Sequence, residues 1–400
     1  MRLRNTETGR LDSVAGSAIG VYVCGITPYD TTHLGHAFTY VMFDVLVRAL
    51  RAGGRSVRYV QNVTDIDDDI MKRARQLKIS WDQLATKETR LYRQDMRDLH
   101  VLPPDVFPYA SQTVPQIIAM AGRLEASGHA YAREGNLYYR VASFPEYGRL
   151  SHASREQMIV WSRERGGDPS DPRKEDPLDF LLWQQSLADE PTWDSPWGAG
   201  RPGWHIECSA MALEHLGPQV DIHGGGEDLI FPHHESEIAQ SEAATGVRPF
   251  ARTWTHIGMV RYRGEKMSKS LKNLVLVRDL LGRFDADSIR VLLLSQHYRE
   301  SWEYTEDQMM AAAEWTAQLR SGAAPPSDGS SGRSGEVLAA LEDDLNTPAA
   351  LERLAELVRS TDPGWPVAAG LLGLQLESGG PSGRSARVAG PVTAPEQLPP

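Results

Sequence analysis

Cysteine is scarce in this chain, with two residues, Cys24 and Cys208, among 400. So small a number excludes a disulfide framework and leaves both thiols available for other chemistry. Long apolar segments are also missing, since no run approaches the roughly 18 apolar residues of a membrane-spanning helix. The amino-terminal stretch MRLRNTETGRLDSV has no apolar core of the kind found in signal peptides. These absences lead us to expect a cytoplasmic protein without membrane contacts.

Positive charge is in deficit. The chain has 42 lysines and arginines against 53 aspartates and glutamates, a formal net charge of -11. Broad electrostatic capture of a polyanion is therefore not expected, and any binding of nucleic acid would depend on a local basic surface. A length of 400 residues with 41% hydrophobic residues suits a globular protein with more than one core. We expect it to be a monomer.

The order of apolar and helical segments near the amino terminus predicts an α/β domain. Residues 19–26 (IGVYVCGI) form a short apolar run, a helical pattern starts near His33, and residues 57–64 (VRYVQNVT) form a second apolar run. This strand–helix–strand order is typical of the opening of a doubly wound fold with a parallel sheet. The pattern resumes near residue 201, after a central stretch punctuated by proline and glycine.

Changes in composition divide the chain into segments. The stretch 321–335, rich in serine and glycine, is typical of a flexible linker, and we expect a short helical pair at 336–376. The predicted division is a first half of the nucleotide fold at 1–102, an insertion at 103–200, a second half at 201–278, a helical region at 279–376 and a disordered tail at 377–400.

Two motifs carry residues suited to binding a nucleoside triphosphate. His33-Leu34-Gly35-His36 follows a strand and begins a helix, so both imidazoles lie beside backbone N–H groups that can hold phosphates. Taken alone, this motif is equally well explained by two histidines at a helix start. Lys266-Met267-Ser268-Lys269-Ser270 supplies two ammonium groups that can neutralise phosphate charge in a transition state, although a lysine pair on a loop is usually just solvated. Together, in this order, they predict an ATP site with His33, His36, Lys266 and Lys269 as catalytic residues.

Four further residues have the chemistry of a metal site. His233 and Glu237 are four residues apart, so a helix opened by Pro232 would place both on one face. Two thiolates, one imidazole and one carboxylate, from Cys24, Cys208, His233 and Glu237, suit zinc. Both cysteines are expected at strand ends of the α/β domain. The alternative is two buried apolar cysteines and a histidine at a helix start.

A zinc ion in this position would favour a thiol substrate. Sulfur is a soft ligand that zinc accepts well, whereas a hydroxyl or a methyl group in its place would bind far more weakly. Such a site would select cysteine over serine and alanine. The sequence therefore predicts cysteine as the acid that is activated.

Smaller features complete the candidate pocket. The glycine run ending in Gly226-Glu227-Asp228 lets the backbone approach a nucleotide, and Asp228 could hold a ribose hydroxyl or the substrate amine, although a tight turn explains the run as well. Trp204 either lines the pocket or belongs to the core. The candidate adenylate-binding residues, several of them at strand ends, are Cys24, Gly25, Ile26, Thr27, Thr39, Asn62, Val63, Thr64, Trp204, Gly226, Glu227, Asp228 and Val260.

The acidic run Asp65-Ile66-Asp67-Asp68-Asp69 has the residue types of a cation site. Carboxylates at a helix start more often act as caps, because they accept hydrogen bonds from the first backbone N–H groups. We therefore expect caps here, and we expect magnesium to accompany ATP instead.

Five stretches resemble one family closely. CGITPYDTTHLGHAFTY, YVQNVTDIDD, GRPGWHIECSAMALEHLG, DIHGGGEDLIFPHHESEIAQSEAATG and GEKMSKSLKNL are similar to the cysteinyl-tRNA synthetases and to their metabolic relatives, the mycothiol-pathway ligases that join cysteine to glucosaminyl-inositol. The resemblance spans residues 3–376. It implies a Rossmann-like class I aminoacyl-tRNA synthetase catalytic domain, ATP as substrate, and cysteinyl-adenylate made at a zinc-bearing site.

Three features bear on the acceptor, and they disagree. The chain after Lys272 has no lysine and more acidic residues than arginines, so it lacks the basic surface that a tRNA stem needs. The segment Glu164-Arg165-Gly166-Gly167-Asp168-Pro169 resembles a loop of the mycothiol-pathway ligases, although on physical grounds it is only a polar turn. Glu237 and its surroundings are more similar to the tRNA enzyme, because the resemblance to the ligases implies zinc held by two cysteines and one histidine.

The leading hypothesis is that the amine of glucosaminyl-inositol displaces AMP from cysteinyl-adenylate. The alternative is a cysteine–tRNA ligase that lacks the usual anticodon-binding domain. A third possibility, from a different class, is a non-catalytic binding module descended from a synthetase. The intact phosphate-binding and zinc motifs argue against this last interpretation.

Overall fold

The computed structural model describes residues 1–29, 32–267, 273–323 and 332–376, with only the backbone described at Lys266. The strands are β1 (Arg2–Asn5), β2 (Arg10–Ser13), β3 (Ala18–Ile26), β4 (Ser56–Val63), β5 (Ala130–Arg133), β6 (Asn136–Tyr139), β7 (Phe180–Gln185), β8 (Gly200–Pro202), β9 (Val220–Gly226), β10 (Ala251–Ile257), β11 (Val260–Tyr262), β12 (Glu265–Lys266) and β13 (Trp302–Glu303). The helices are α1 (Leu34–Ala52), α2 (Asp68–Leu77), α3 (Trp81–Asp98), α4 (Val114–Ala126), α5 (Arg155–Glu164), α6 (Trp204–Leu216), α7 (Glu235–Thr245), α8 (Val277–Leu281), α9 (Ala286–Leu294), α10 (Glu306–Gly322), α11 (Gly335–Glu342), α12 (Thr347–Arg359) and α13 (Trp365–Leu371). None of the helices described here is both long enough and apolar enough to cross a membrane.

Several predictions made from the sequence fall on residues that the structure does not describe. Lys269 and the side chain of Lys266 lie outside the described residues. The same holds for 324–331 within the predicted linker and for the predicted tail at 377–400.

A four-stranded parallel sheet in the order β10–β9–β3–β4 forms the centre of the fold. The predicted strands at 19–26 and 57–64 are confirmed as β3 and β4, each displaced by no more than one residue. Most residues of both strands are buried, as expected of parallel strands covered by helices on both faces. Because β3 and β4 come from the first half of the chain and β9 and β10 from the second, the sheet joins two separated segments.

Helix α1 connects β3 to β4 and is buried along most of its length. His33 is its N-cap residue, with φ -96° and ψ 169°, and the His33 ring accepts a hydrogen bond from the backbone N–H of His36. The helix contacts β4 and β10 of the sheet and, elsewhere on its surface, α9, α11 and α13. The prediction of a helix that starts near His33 is therefore confirmed. Its apolar surface all round reflects a position between two layers.

The segment between the two halves of the sheet forms a second layered unit. Strands β5, β6, β7 and β8 form an antiparallel sheet in that order, and α4 and α5 accompany it. Buried side chains of β7, such as Leu182 and Trp183, belong to the same hydrophobic cluster as Ile206 and Met211 of α6. The insertion therefore packs on α6, the helix that carries Cys208.

The helices after the catalytic fold pack back onto it through a buried arginine. Arg290 of α9 has 0% exposure and donates to Asp44 Oδ2 of α1 at 2.6 Å. It also donates to the carbonyl oxygen of Leu372, beyond α13, at 2.6 and 3.0 Å. The prediction of a helical pair at 336–376 is wrong, since α11, α12 and α13 occupy this stretch. The turn at 361–364 (TDPG), with Thr361 at φ 52°, separates α12 from α13.

Candidate active site

A cleft of about 1230 Å³ opens at the carboxyl ends of the central strands. Parallel strands all end at one edge of a sheet, and α/β folds bind their ligands there. The cleft is bounded by the ends of β3, β4, β9 and β10, by the starts of α1 and α6, and by the insertion. The predicted residues that line it are Cys24, Gly25, Thr27, His33, His36, Thr39, Asn62, Thr64, Trp204, Cys208, Gly226, Asp228, His233 and Val260.

His33 and His36 form a stacked pair at the first turn of α1. Their ring centroids are 3.8 Å apart, with 24° between the ring planes. A Cβ atom at Gly35 would lie 3.0 Å from the His33 ring, so the glycine between them permits this stack. The positive end of the helix dipole lies at the same place, which suits a phosphate group. Met267, from the second predicted motif, also lines the cleft.

Cys24, Cys208, His233 and Glu237 come together in the interior beside the cleft. Their ligand atoms all lie within 4.8 Å of one another, and all four residues are buried. Glu237 Oε1 lies 3.3 Å from Cys24 Sγ and 3.2 Å from His233 Nε2. Two thiols, one imidazole and one carboxylate that converge in this way are a donor set suited to tetrahedral zinc. The residues present therefore fit a metal site.

The two cysteines reach this cluster from different kinds of element. Cys24 lies near the end of β3, whereas Cys208 lies in the second turn of α6, so the prediction that both end strands is wrong for Cys208. Trp204, four residues earlier on α6, lines the same cleft, as helical spacing allows. Residues 206–212 of α6 are all buried, and a helix that is buried on every side shows no amphipathic periodicity that would reveal it.

His205 contacts the ring nitrogen of His233 that does not face Glu237. Its Nδ1 is 3.0 Å from the Nδ1 of His233, while the Nε2 of His233 faces Glu237. One ring nitrogen of His233 is thus occupied by a neighbour and the other points into the cluster. A second hydrogen-bonded group of this kind fixes the orientation of a histidine that binds a metal. The sequence places His205 beside the candidate pocket residue Trp204 but gives no sign that it orients His233.

A second set of possible ligands overlaps the first and was missed in the sequence. Cys24, His223, His234 and Glu237 also have ligand atoms within 4.8 Å of one another. His223 Nε2 is 3.0 Å from Glu237 Oε2, and His234 Nε2 is 3.3 Å from Cys24 Sγ. The other ring nitrogen of His234 is 2.7 Å from His256 Nε2. The doublet His233-His234, and histidines near the ends of β9 and β10, were the available signals.

Burial favours the neutral form of the groups in this cluster. It raises the pKa of the Cys24 thiol well above its usual range, and the nearby Cys208 and Glu237 act in the same direction. Burial also raises the pKa of the Glu237 carboxyl and lowers the pKa of His233. A divalent cation would reverse this preference for the thiol and the carboxyl, because its charge stabilises thiolate and carboxylate. The cluster is therefore electrostatically suited to a cation.

The ends of β3 and β4 are joined by hydrogen bonds next to the cluster of possible metal ligands. The backbone N–H of Gly25 donates to Asn62 Oδ1 at 2.9 Å, and a Cβ at Gly25 would lie only 1.5 Å from the Asn62 carbonyl oxygen. Asn62 Nδ2 in turn donates to Cys208 Sγ at 3.4 Å. The hydroxyls of Thr27 and Thr64 are 2.9 Å apart. Glycine at position 25 thus permits the contact that ties both strand ends to Cys208.

Trp204 lines the cleft and is not part of the core. It is half-buried, and its ring stacks on His233 with centroids 4.4 Å apart. Ile26 and Val63, by contrast, have side chains in the main hydrophobic core, with 1% and 0% exposure. Glu227 accepts a hydrogen bond from the Ser301 hydroxyl at 2.6 Å. Of the predicted pocket residues, Ile26, Val63 and Glu227 therefore do not line the cleft.

The acidic run after β4 caps helix α2, as expected, and its other carboxylates contact neighbouring side chains. Asp67 is the N-cap of α2 and accepts a hydrogen bond from the backbone N–H of Asp69. Asp68 forms an ion pair with Arg201, and Asp69 accepts from the hydroxyl of Tyr29 at 2.7 Å. Asp67, Asp68 and Asp69 also line the cleft. The hydrogen bonds they accept account for their position at a helix start without a bound cation.

The fold has a clear counterpart among solved structures. It is similar to that of Mycobacterium tuberculosis methionyl-tRNA synthetase in complex with methionyl-adenylate, with a TM-score of 0.60 at 16% sequence identity, covering 90% of this chain and 82% of that one. Identity this low shows the fold alone. The parallel sheet, the cleft at its carboxyl edge and the paired histidines at the start of α1 define a class I aminoacyl-tRNA synthetase catalytic domain.

Sequence comparison identifies the particular family. Residues 10–314 match the family described as tRNA synthetases class I (C) catalytic domain, and the chain belongs to that family. The L-cysteine:1D-myo-inositol 2-amino-2-deoxy-alpha-D-glucopyranoside ligase of Acidothermus cellulolyticus is 46% identical over 392 residues, which cover 94% of this chain and 95% of that protein. The cysteine–tRNA ligase of Dehalococcoides mccartyi is 46% identical over 327 residues, which cover 81% of this chain and 70% of that protein. The predicted fold class and family are confirmed.

Proposed function

We propose that this chain is an ATP-dependent, AMP-forming ligase that activates cysteine as cysteinyl-adenylate and transfers it to the amine of glucosaminyl-inositol. The observation that carries the first half-reaction is the buried cluster of two thiols, one imidazole and one carboxylate beside a phosphate-binding helix start. The acceptor is supported by the ligase of Acidothermus cellulolyticus, whose similarity extends over almost the whole of both chains.

In the activation step, the start of α1 holds the triphosphate. His33 and His36 and the adjacent backbone N–H groups stabilise the phosphates, and Lys266 and Lys269 neutralise the charge that builds up as the reaction proceeds. A carboxylate oxygen of cysteine attacks the α-phosphorus, the α–β phosphoanhydride bond breaks, and pyrophosphate leaves. Magnesium accompanies ATP. The cleft, with a volume of about 1230 Å³, is large enough for both substrates.

We assign one zinc ion to Cys24, Cys208 and His233, and the Glu237 carboxylate, 3.2 Å from His233 Nε2, is within reach of the same site. When bound, zinc supplies a soft Lewis acid that favours the thiolate of a cysteine substrate over a hydroxyl or a methyl group. The chain's own residues hold this donor set in place. Asn62 donates to Cys208, and Trp204 stacks on His233.

The remaining residues that line the cleft contact the adenylate. Gly25, Thr27 and Thr64 lie where β3 and β4 end, and Thr39 lies one turn into α1. Gly226 and Asp228 lie where β9 ends, with Val260 nearby. We propose that Asp228 accepts a hydrogen bond from the ribose or from the amine of cysteine, because its carboxylate is the acceptor in this group.

In the transfer step, the acceptor nitrogen forms a bond to the carbonyl carbon of cysteinyl-adenylate. The acyl–phosphate bond breaks, AMP leaves, and the nitrogen loses a proton to give an amide. The described part of the helical region at 332–376 supports a small acceptor. It carries three arginines, at 333, 353 and 359, and two of these pair with Asp362 and Glu356. Without a basic surface, this region is poorly suited to a tRNA stem.

A second candidate function is that of a cysteine–tRNA ligase. One specific observation favours it, namely that Glu237 is close enough to the thiols and to His233 to act as a fourth ligand. The cysteine–tRNA ligase of Dehalococcoides mccartyi is also 46% identical to this chain. Both functions share the activation step and differ only in the acceptor.

We also propose the domain division that the composition suggested. The catalytic fold would consist of 1–102 and 201–278, split by an insertion at 103–200, with a helical region at 279–376. Its support is that β3 and β4 come from the first segment and β9 and β10 from the second, while most of the antiparallel sheet lies between them.

The decisive experiment offers the purified protein ATP and labelled cysteine together with either glucosaminyl-inositol or tRNA. We expect label in the amide of the amino sugar, and AMP in equal amount, with no label in tRNA. Label in tRNA alone would establish the second candidate function. Pyrophosphate exchange that does not depend on cysteine would contradict both candidates.

A further inference from the structure

The cleft extends beyond the phosphate-binding and metal regions into a space between α2 and the insertion. We call this space the polar arm, and we define it by residues of the cleft lining: Asp67, Lys72 and Gln76 on the α2 side, and Asp168, Lys174 and Gln184 on the insertion side. The activation step described above uses none of these side chains. The polar arm is therefore a part of the cleft that the proposed binding of cysteine and ATP does not use.

The two walls of the polar arm are tied together by ion pairs. Arg75 of α2 donates to Asp189 at 2.6 and 2.9 Å and to Glu190 at 2.7 Å. Arg201, which is 3% exposed, pairs with Asp68 of α2 and with Glu190 at 2.9 Å. In these ion pairs the charges of the arginines and carboxylates between the two walls are paired. The pairs also fix the distance between α2 and the insertion. The shape of the polar arm is thus fixed by contacts within the fold.

The insertion wall is also held against the segment that carries His233. Arg165 donates to the carbonyl oxygens of Asp228, at 3.2 Å, and of Phe231. The turn that follows requires glycine, because Gly166 has φ +90° and a Cβ at Gly167 would lie 2.3 Å from Ser162 Oγ. The segment from 168 to 174 therefore has a defined place over the cleft.

Lys174, on this wall, has no ion pair among the residues that the structure describes. The neighbouring Asp171 is taken by Arg173, at 2.8 and 2.9 Å, and by the hydroxyl of Tyr138. Among the described residues, no carboxylate lies within ion-pair distance of the Lys174 ammonium group. Burial lowers the pKa of Lys174, and Lys174 and His205 of α6 both line the cleft. Lys174 thus lies in the cleft, partly buried, close to the metal region.

Asp67 supplies a carboxyl group on the opposite wall, and burial raises its pKa to about 7, so it is ionised above that pH. It is half-buried, and its carboxylate accepts a backbone hydrogen bond from Asp69. One carboxylate and one ammonium group therefore line the polar arm.

We propose that the polar arm is the acceptor subsite and that it takes a polyhydroxylated primary amine, with Lys174 donating hydrogen bonds to the hydroxyl groups and Asp67 facing the amine. A carboxylate attracts an ammonium group, and an ammonium group can only donate, so hydroxyl oxygens match it. The proposal rests on the proposed function and deepens it, since it names the residues that recognise the acceptor. The proposal places the acceptor in a part of the cleft that the adenylate does not occupy.

The test compares Lys174→Met with Lys174→Arg and with the control Lys87→Met, an exposed lysine on α3. Three rates are measured for each variant: amide formation over a range of glucosaminyl-inositol concentrations, cysteine-dependent ATP–pyrophosphate exchange, and hydroxamate formation with hydroxylamine. Hydroxylamine is a small nucleophile that reacts with the adenylate without needing a sugar subsite.

We expect Lys174→Met to raise the KM for glucosaminyl-inositol about tenfold or more, as loss of a charged hydrogen bond does. Exchange and hydroxamate formation should stay within about twofold of wild type, Lys174→Arg should recover part of the loss, and Lys87→Met should match wild type. Equal KM values in Lys174→Met and wild type would overturn the subsite, as would a parallel loss of exchange. Failure of the wild type itself to form the amide would instead overturn the proposed function.

Discussion

His205 and His233 face each other through their Nδ1 atoms at 3.0 Å, which leaves the Nε2 of His233 directed at Glu237 at 3.2 Å. This relationship fixes which nitrogen of His233 is available to a metal. It also makes His205 a positioning residue, since it acts on the metal site through His233.

Replacing His205 should weaken metal binding without removing a ligand. In His205→Phe the ring of His233 loses its hydrogen-bonded neighbour, and we expect zinc affinity to fall about 10- to 100-fold. The measurement is competition for zinc with a coloured chelator. The matched control is His215→Phe, further along the same helix and outside the cluster. Equal zinc affinities for His205→Phe and wild type would show that His205 does not orient His233.

The close contact between Gly25 and Asn62 gives a second prediction. In Gly25→Ala the new Cβ would overlap the Asn62 carbonyl oxygen, so β3 and β4 must separate where both approach Cys208. We expect a loss of about 2 kcal/mol or more in the free energy of unfolding, together with weaker zinc binding. Gly122→Ala is the control, because nothing lies within 4 Å of its Cβ position in α4, and it should stabilise slightly. Urea unfolding measures the free energy of unfolding of both variants.

Burial of Asp67 predicts a dependence of stability on pH. Burial raises the pKa of Asp67 from its usual 3.8 to about 7, and the charges of Asp68 and Asp69 add to this effect. The folded protein therefore holds a proton that the unfolded chain has released, and the stability this proton gives is lost as the pH rises from about 4 to about 7. An asparagine in place of Asp67 would keep the helix cap without titrating.

The stability of Asp67→Asn should accordingly increase relative to that of the wild type as the pH rises. We expect the difference in unfolding free energy between variant and wild type to shift by about 1 to 3 kcal/mol between pH 4.5 and 8. Urea unfolding at several pH values measures this difference. If the two pH profiles run parallel, burial of Asp67 does not perturb its titration.

The Arg290–Asp44 pair makes a further prediction about the carboxyl-terminal helices. Arg290→Met leaves buried Asp44 paired with Arg48 and removes donors to the carbonyl oxygens of Leu372 and Leu99, so we expect a loss of about 2 to 4 kcal/mol in unfolding free energy. The control is Arg353→Met, which removes an exposed pair with Glu356 and should have little effect. A loss equally small for both variants would mean that Arg290 does not anchor these helices.

Local pattern was enough to predict the elements that build the cleft. The apolar runs at 19–26 and 57–64 and the helix start at His33 are confirmed because each depends on neighbouring residues alone. The grouping of Cys24, Cys208, His233 and Glu237 came from residue chemistry, and the structure brings these four together. Their assignment to zinc stays a prediction.

Other features depend on contacts between distant segments and could not be predicted. His223 and His234 reach the same cluster because β9 and the turn before α7 pack beside β3, and the histidines in the sequence do not by themselves indicate that packing. The fully buried stretch of α6 concealed a helix, so Cys208 was misplaced. The third carboxyl-terminal helix, by contrast, had a local signal in the turn at 361–364, and it was overlooked.

The most direct test of cysteine activation at this site is ATP–pyrophosphate exchange with cysteine, serine and alanine, measured on protein of known zinc content. We predict exchange with cysteine, close to one zinc per chain, and no measurable exchange with serine or alanine. Exchange at similar rates with cysteine and serine, or selection of cysteine by protein that contains no zinc, would contradict the account.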